Sequence, residues 1–302
     1  MKRYCLYLFI LIGISCSAEL KAQKNGTVYK GNDPAVRYTG RTLVSSDGSV
    51  AFDWVGTYLE TRFTGGKLSV KVSETGTSYY NVFVDGKLHK VVKVCGTDTL
   101  IHLVSGIDKR IHSLKIQKRS EGEFGKTTVH QFVLSGSGRL AEELAVRTRH
   151  IEFIGNSLTC GYGTDGKHRD EPFLVETENC NLTFASMVAR YYDADYTLIA
   201  HSGRGAARNY GDSVRVSKVT MKDRMLNTFD EDLTHKWNFK EYRPDLVVIN
   251  LGSNDFSTEP HPYKSEFTKA YKQILAQLRE HYGDIPILCI YPVAMQAPVF
   301  SY

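Results

Sequence analysis

Near residue 140 the hydrophobic period of this chain changes, and that change limits the folds open to it more than any other feature. Over residues 38–134 the pattern is β throughout. The stretches 50–54, 58–63, 67–72, 79–84, 99–103 and 112–116 are short, mostly alternating apolar runs. Asp47-Gly48, Gly65-Gly66, Asp85-Gly86 and Gly106 punctuate them. Short strands at even spacing predict a β-sandwich, a jelly roll, over residues 30–140. By itself such a part suits a carbohydrate-binding module or a structural domain. His89, His102, His112 and His130 lie on its strands and read as surface or satisfied core residues. Gly136-Ser137-Gly138 and the charged stretch through Arg149 predict a boundary. Over 148–302 strands alternate with helices, which implies right-handed crossovers and a parallel sheet in a three-layer α/β/α, flavodoxin-like domain.

Within that second part the first strand, 151–154, runs into Gly155-Asn156-Ser157, which breaks its period and turns the chain. Asn181 is expected to cap a helix carrying Phe184, Met187, Val188 and Tyr191 on its inward face. The second strand, 196–200, ends in His201-Ser202-Gly203-Arg204-Gly205, and a polar, helix-prone insert runs on to Arg243. The third, 245–250, ends in Leu251-Gly252-Ser253-Asn254-Asp255. Ser265 then caps a longer helix with Phe267, Tyr271, Ile274, Leu275 and Leu278 inward, closed by Gly283 before a fourth strand at 285–291.

In a sheet ordered 2-1-3-4 the loops after strands one, two and three meet at the switch point. They bring Ser157, Gly203 and Asn254 to one cleft. Acyl transfer by a serine needs a nucleophile and donors aimed at the carbonyl oxygen as it turns negative; a glycine N–H and an Asn amide suit that role. Each residue alone is equally a cap or a turn, and the three in register on one edge point to chemistry.

The formal charge of +5 is mild and owes part of itself to Lys2 and Arg3. No basic run is interleaved with aromatics, so a nucleic-acid partner is not expected. Lys2-Arg3, the apolar stretch 4–14 and small residues up to Ala22 describe a signal peptide over 1–22, cut after Ala22. A secreted or periplasmic protein is therefore expected, with a lipoprotein-type cut before Cys16 as the alternative. Later segments are too short and polar to cross a bilayer as helices. Cys95, Cys160, Cys180 and Cys289 match no zinc spacing, so no metal is expected. One bridge, Cys160 to Cys180, and four buried thiols are equal alternatives. Gly203-Arg204-Gly205 starts like a dinucleotide fingerprint, but Arg208 stands where the third glycine belongs, and no cofactor is expected.

These blocks resemble the SGNH hydrolase superfamily and, within it, carbohydrate esterase family two. Gly155-Asn156-Ser157-Leu158-Thr159 with Gly161-Tyr162-Gly163, Ser202-Gly203-Arg204-Gly205 and Gly252-Ser253-Asn254-Asp255 are similar to its three site blocks. Gly40-Arg41, Phe52-Asp53-Trp54, Arg62-Phe63 and Val84-Asp85-Gly86 resemble its N-terminal jelly roll, and Trp237-Asn238-Phe239 with Pro244-Asp245 its approach to the third block. The resemblance implies a metal-independent esterase that removes acetyl groups from plant polysaccharides such as xylan or glucomannan. Ser157 would attack the ester, and Gly203 N–H, Asn254 Nδ2 and Ser157 N–H would hold the oxyanion. Asn156, where many relatives have Asp, and Asp255 would support the loops.

The superfamily's base is a histidine on a loop after a fifth strand, and the sequence reaches Tyr302 just after strand four. The expectation is a truncated form of a longer esterase, or a natural remnant. His201 and His261, on the correct sheet edge, are the candidate substitute bases. Losing a base costs a serine hydrolase about four to six orders of magnitude in rate. Two alternatives therefore stand beside the esterase: a non-catalytic polysaccharide-binding protein, and an SGNH esterase acting on lipid or other acyl esters.

Overall fold

The structure, a computed structural model, describes residues 26–141 and 146–292. The expected signal peptide lies outside the described residues. The first half forms one eight-stranded sheet. Its strands are β1 (Gly26–Lys30), β2 (Val36–Thr39), β3 (Leu43–Val44), β4 (Val50–Phe52), β5 (Tyr58–Val84), β6 (Lys87–Lys118), β7 (Thr127–Ser135) and β8 (Arg139–Ala141). β5 meets the C-terminal part of β6 with both of its ends, so that Leu59 and Val82 each lie opposite Ile116. A strand that does this must curl. The sheet accordingly rolls around Phe63, Leu68, Val82, Leu103, Phe132 and Leu134.

The three strands expected at 58–63, 67–72 and 79–84 are one element. Gly65-Gly66 bends the strand without ending it: the register shifts at Gly66, whose φ of +81° is the conformation a bulge asks of glycine. Asp85-Gly86 does end it. Positive φ at both residues, 50° and 75°, is the hairpin geometry that matches strand twist.

The second half is a four-stranded parallel sheet ordered 2-1-3-4, as expected. In chain order its elements are β9 (His150–Gly155), α1 (Ser157–Cys160), α2 (Phe184–Tyr191), β10 (Asp195–Ala200), α3 (Met221–Arg224), β11 (Leu246–Ile249), α4 (Lys264–Tyr282) and β12 (Ile287–Cys289). Strand alternation sends Ile154, Ile199, Val247 and Ile249 to the face covered by Ile274 and Leu278 of α4. Phe153, Leu198 and Val248 go to the other face, under Ala185 and Ala189 of α2. Both faces are thus covered, which gives the three layers. Trp54 and Val55, just after β4, each enter one of these two cores, so the halves share their packing.

Several local expectations are corrected. On α2 the inward residues are Ala185, Ser186 and Ala189, while Met187, Val188 and Tyr191 are exposed. Small side chains let the helix backbone approach the sheet closely; of the larger ones Phe184 packs inward against Phe153, as expected, and the other three are left outside. Thr183 is its N-cap residue, and Asn181 Oδ1 instead accepts from Arg190 at 2.8 Å. α4 begins one residue before Ser265, where Glu266 Oε2 accepts from the Tyr263 backbone N–H at 2.7 Å. Of the insert up to Arg243, only α3 is α-helical. Cys160 and Cys180 share one core as separate thiols, while Cys95 and Cys289 are exposed. Neither the bridge nor four buried thiols is observed. Among the described residues no helix is long and apolar enough to cross a membrane.

Candidate active site

Three loops leave the C-terminal edge of the parallel sheet. In the first, Gly155 closes β9: a Cβ there would stand 2.0 Å from Thr159 Oγ1, so only glycine allows so abrupt a passage from strand to helix. Asn156 caps the short α1 by accepting from Leu158 N at 3.2 Å. Gly161, with φ +84°, ends it. Ser157 is therefore the first residue of α1, half-buried, on a turn fixed at both ends.

The second loop follows β10. Gly203 has φ +74°, and its carbonyl accepts from Tyr210 N at 2.8 Å. The third follows β11 and carries Asn254, whose Nδ2 donates to the Arg204 carbonyl at 2.8 Å. A primary amide has two N–H groups, so this bond leaves one for a ligand. Asn156 Nδ2 donates to Ser253 Oγ at 2.9 Å. The first loop is thereby tied to the third, and the third to the second.

Asp255 completes the weave. Its buried carboxylate accepts from the backbone N–H of Ala206, Ala207 and Arg208 at 3.0, 2.6 and 2.9 Å. Burial raises its pKa, and the three amide bonds work against that rise. It holds loop against loop and makes no bond to Ser157.

The structure does not bring either candidate histidine to the serine. His201 is buried, with Nδ1 2.7 Å from Asp230 Oδ2 and Nε2 3.7 Å from Glu123. His261 is partly exposed, 3.4 Å from Glu259 and edge-on to Phe256. Among the described residues no histidine hydrogen-bonds to Ser157 Oγ.

Behind the loops lies an acidic cluster absent from the sequence reading. Asp53 Oδ1 accepts from Asp230 N at 2.8 Å and Oδ2 from Glu231 N at 3.3 Å, so the β-rich half holds the segment that anchors His201. Glu121, Cys160 and Glu178 each bring a ligand atom within 4.8 Å of the others, and Glu121 is already bonded to Ser202. Glu121 and Glu178 belong to no motif in the sequence.

The cluster predicts how stability responds to pH. Burial, then Asp230, pushes the Asp53 carboxyl up to about 7. Folded Asp53 keeps its proton from about pH 4, its unfolded value, up to about 7, so stability falls as pH rises across that window. His201 acts in the same direction. Burial lowers its pKa, but Asp230 more than offsets this, and the contribution present below its unfolded value is lost as pH rises through the folded one. Tm should fall more steeply between pH 5 and 7 in the wild type than in Asp53→Asn. Equal slopes in thermal scans would refute this account.

Comparison with known proteins identifies the family. The carbohydrate esterase 2 N-terminal family matches residues 38–143, and the GDSL-like lipase/acylhydrolase family matches residues 153–302. The chain is 34% identical over 258 residues to the cellulase/esterase CelE of Acetivibrio thermocellus, covering 85% of this chain and 31% of that protein. It is 33% identical over 228 residues to an acetylxylan esterase/glucomannan deacetylase of Cellvibrio japonicus, covering 72% and 61%. The chain thus spans under a third of the first and about three fifths of the second. A family two carbohydrate esterase from Clostridium thermocellum, solved with cellohexaose, superposes with a TM-score of 0.82 at 33% identity, over 87% of this chain and 79% of that one.

Proposed function

Because the chain belongs to carbohydrate esterase family two, we propose that it is a serine esterase that removes O-acetyl groups from plant polysaccharides such as xylan or glucomannan. The observation that carries this reading is the stitching of three loops around Ser157 by the Asn156–Ser253 and Asn254–Arg204 bonds. Ser157 Oγ attacks the acetyl carbonyl and gives up its proton to a base. The oxyanion that forms is held by the N–H of Gly203, the second Nδ2 hydrogen of Asn254 and the N–H of Ser157, which as the first residue of a helix has no intrahelical acceptor. The sugar hydroxyl leaves with a proton, and water then releases acetate from the acyl-serine. No histidine among the described residues is assigned the base.

Export fits the polymeric substrate. Lys2-Arg3 and the apolar stretch after it support a signal peptide, and N-terminal sequencing of protein recovered from the medium or periplasm would test the cut after Ala22.

A second reading is favoured by one observation, the engagement of His201 with Asp230 and of His261 with Glu259, away from Ser157. On it the cleft binds polysaccharide without hydrolysing it. A fluorophosphonate probe, followed by mass spectrometry and an acetate assay on acetylated xylan and glucomannan, separates the two. The esterase reading expects the label on Ser157 and loss of acetate release in step with labelling. Release that persists after complete labelling overturns it. Absence of both label and acetate, with retardation in affinity electrophoresis on the polysaccharide, selects the second reading.

A further inference from the structure

The loop that carries Gly203 is held from outside its own half of the molecule. Glu121 follows β6 in the β-rich part and is fully buried. Both of its carboxylate oxygens accept from Ser202, the residue immediately before Gly203: Oε2 from Ser202 N at 2.5 Å, and Oε1 from Ser202 Oγ. The arm that presents this carboxylate is itself fixed. Glu178 Oε2 accepts from the Glu121 backbone N–H at 2.9 Å, and Lys118 Nζ donates to the Glu121 carbonyl at 3.3 Å. The same lysine is anchored on Ser78 Oγ at 2.7 Å. Burial, and then Glu121, raises the Glu178 carboxyl well above the usual range, so it is protonated at neutral pH and tolerates a carboxylate beside it.

The peptide unit that ends in the Gly203 N–H begins at Ser202. With Ser202 clamped through its N–H and hydroxyl, and the Gly203 carbonyl held by Tyr210 N, that peptide is restrained on both sides. Gly203 has φ +74°, a residue type with wide backbone freedom unless something restrains it. We propose that Glu121 is a positioning residue for the oxyanion donor Gly203, so that the β-rich half takes part in setting up the reaction. This inference rests on the role of Gly203 proposed above.

The test uses the whole protein in four forms: wild type, Glu121→Gln, Ser202→Ala and the double variant, with Ser157→Ala as the activity baseline. Steady-state kinetics on 4-nitrophenyl acetate and hydrogen exchange at the amides of residues 202–205 are read together. A donor displaced by a fraction of an ångström to an ångström lowers kcat by about 10- to 100-fold, and KM for so small a substrate should move less than about twofold. The double variant should lose no more than the worse single one, since both act through one contact. Exchange at the loop should quicken at least about tenfold as the clamp opens. Losses that add, or exchange unchanged in both single variants, overturn the proposal. Ser202→Ala, at a half-buried site, keeps the question decidable if Glu121→Gln does not fold. A wild type no faster than Ser157→Ala would sink the esterase reading, and the exchange data would still decide whether Glu121 holds the loop.

Discussion

Ser157→Ala is expected to lower kcat for acetate release by about four to six orders of magnitude. The reasoning is local. Oγ is the atom that bonds to the acetyl carbon, and no neighbouring hydroxyl replaces it: Thr159 is buried under Gly155, and Ser202 is committed to Glu121. The substitution removes one half-buried hydroxyl from the start of a helix capped by Asn156, so Tm should stay within a few degrees of the wild type. Asn254→Ala makes a graded comparison. It removes one oxyanion donor of three and should cost about 10²- to 10³-fold in kcat. It also frees the Arg204 carbonyl, so part of that loss comes through the second loop. A loss of less than about tenfold in Ser157→Ala would move the nucleophile elsewhere. Equal losses in the two variants would mean that Asn254 does more than hold an oxyanion.

The sheet order and the positions of Ser157, Gly203 and Asn254 at one edge were readable because they follow from local patterns. Apolar strands that end in small, turn-forming residues locate the edge, and crossover geometry brings the edge residues together. Direction of packing was less readable. On α2 the period of large apolar residues pointed Met187 and Tyr191 inward, whereas the helix uses Ala185 and Ala189 to lie close on β10. Gly65-Gly66 and Asp85-Gly86 look alike in sequence, yet one bends a strand and the other ends it, because only the second needs two consecutive positive φ angles. Contacts between distant polar residues left no trace. Glu121 on Ser202, and Asp53 under Asp230, join residues 81 and 177 positions apart, and no periodicity encodes such pairs.

The same holds for the interaction expected to matter most for stability. Arg41, buried to 1% exposure, donates to the carbonyls of Met225 and Asn227 at 2.6 and 2.8 Å and lies 3.5 Å from Glu152 Oε2. Its guanidinium also lies over Trp237 and Phe239 at 5.4 and 5.2 Å. Glu152 sits in β9 with no exposure, accepting from the Tyr242 and Tyr282 hydroxyls at 2.5 and 3.0 Å. Arg41→Met keeps much of the side-chain volume but leaves that carboxylate buried without its cation and orphans two carbonyls. Removing one partner of a buried pair costs about 3–5 kcal/mol, a large share of a typical domain's stability. Urea unfolding should therefore show a midpoint far below that of the wild type. Adding Glu152→Gln to Arg41→Met should restore part of the loss, because the uncompensated charge is then gone while the tyrosine hydroxyls keep an acceptor. A cost under about 1 kcal/mol for Arg41→Met, or no recovery in the double variant, would mean that the Arg41–Glu152 ion pair does not hold the β-rich half to β9.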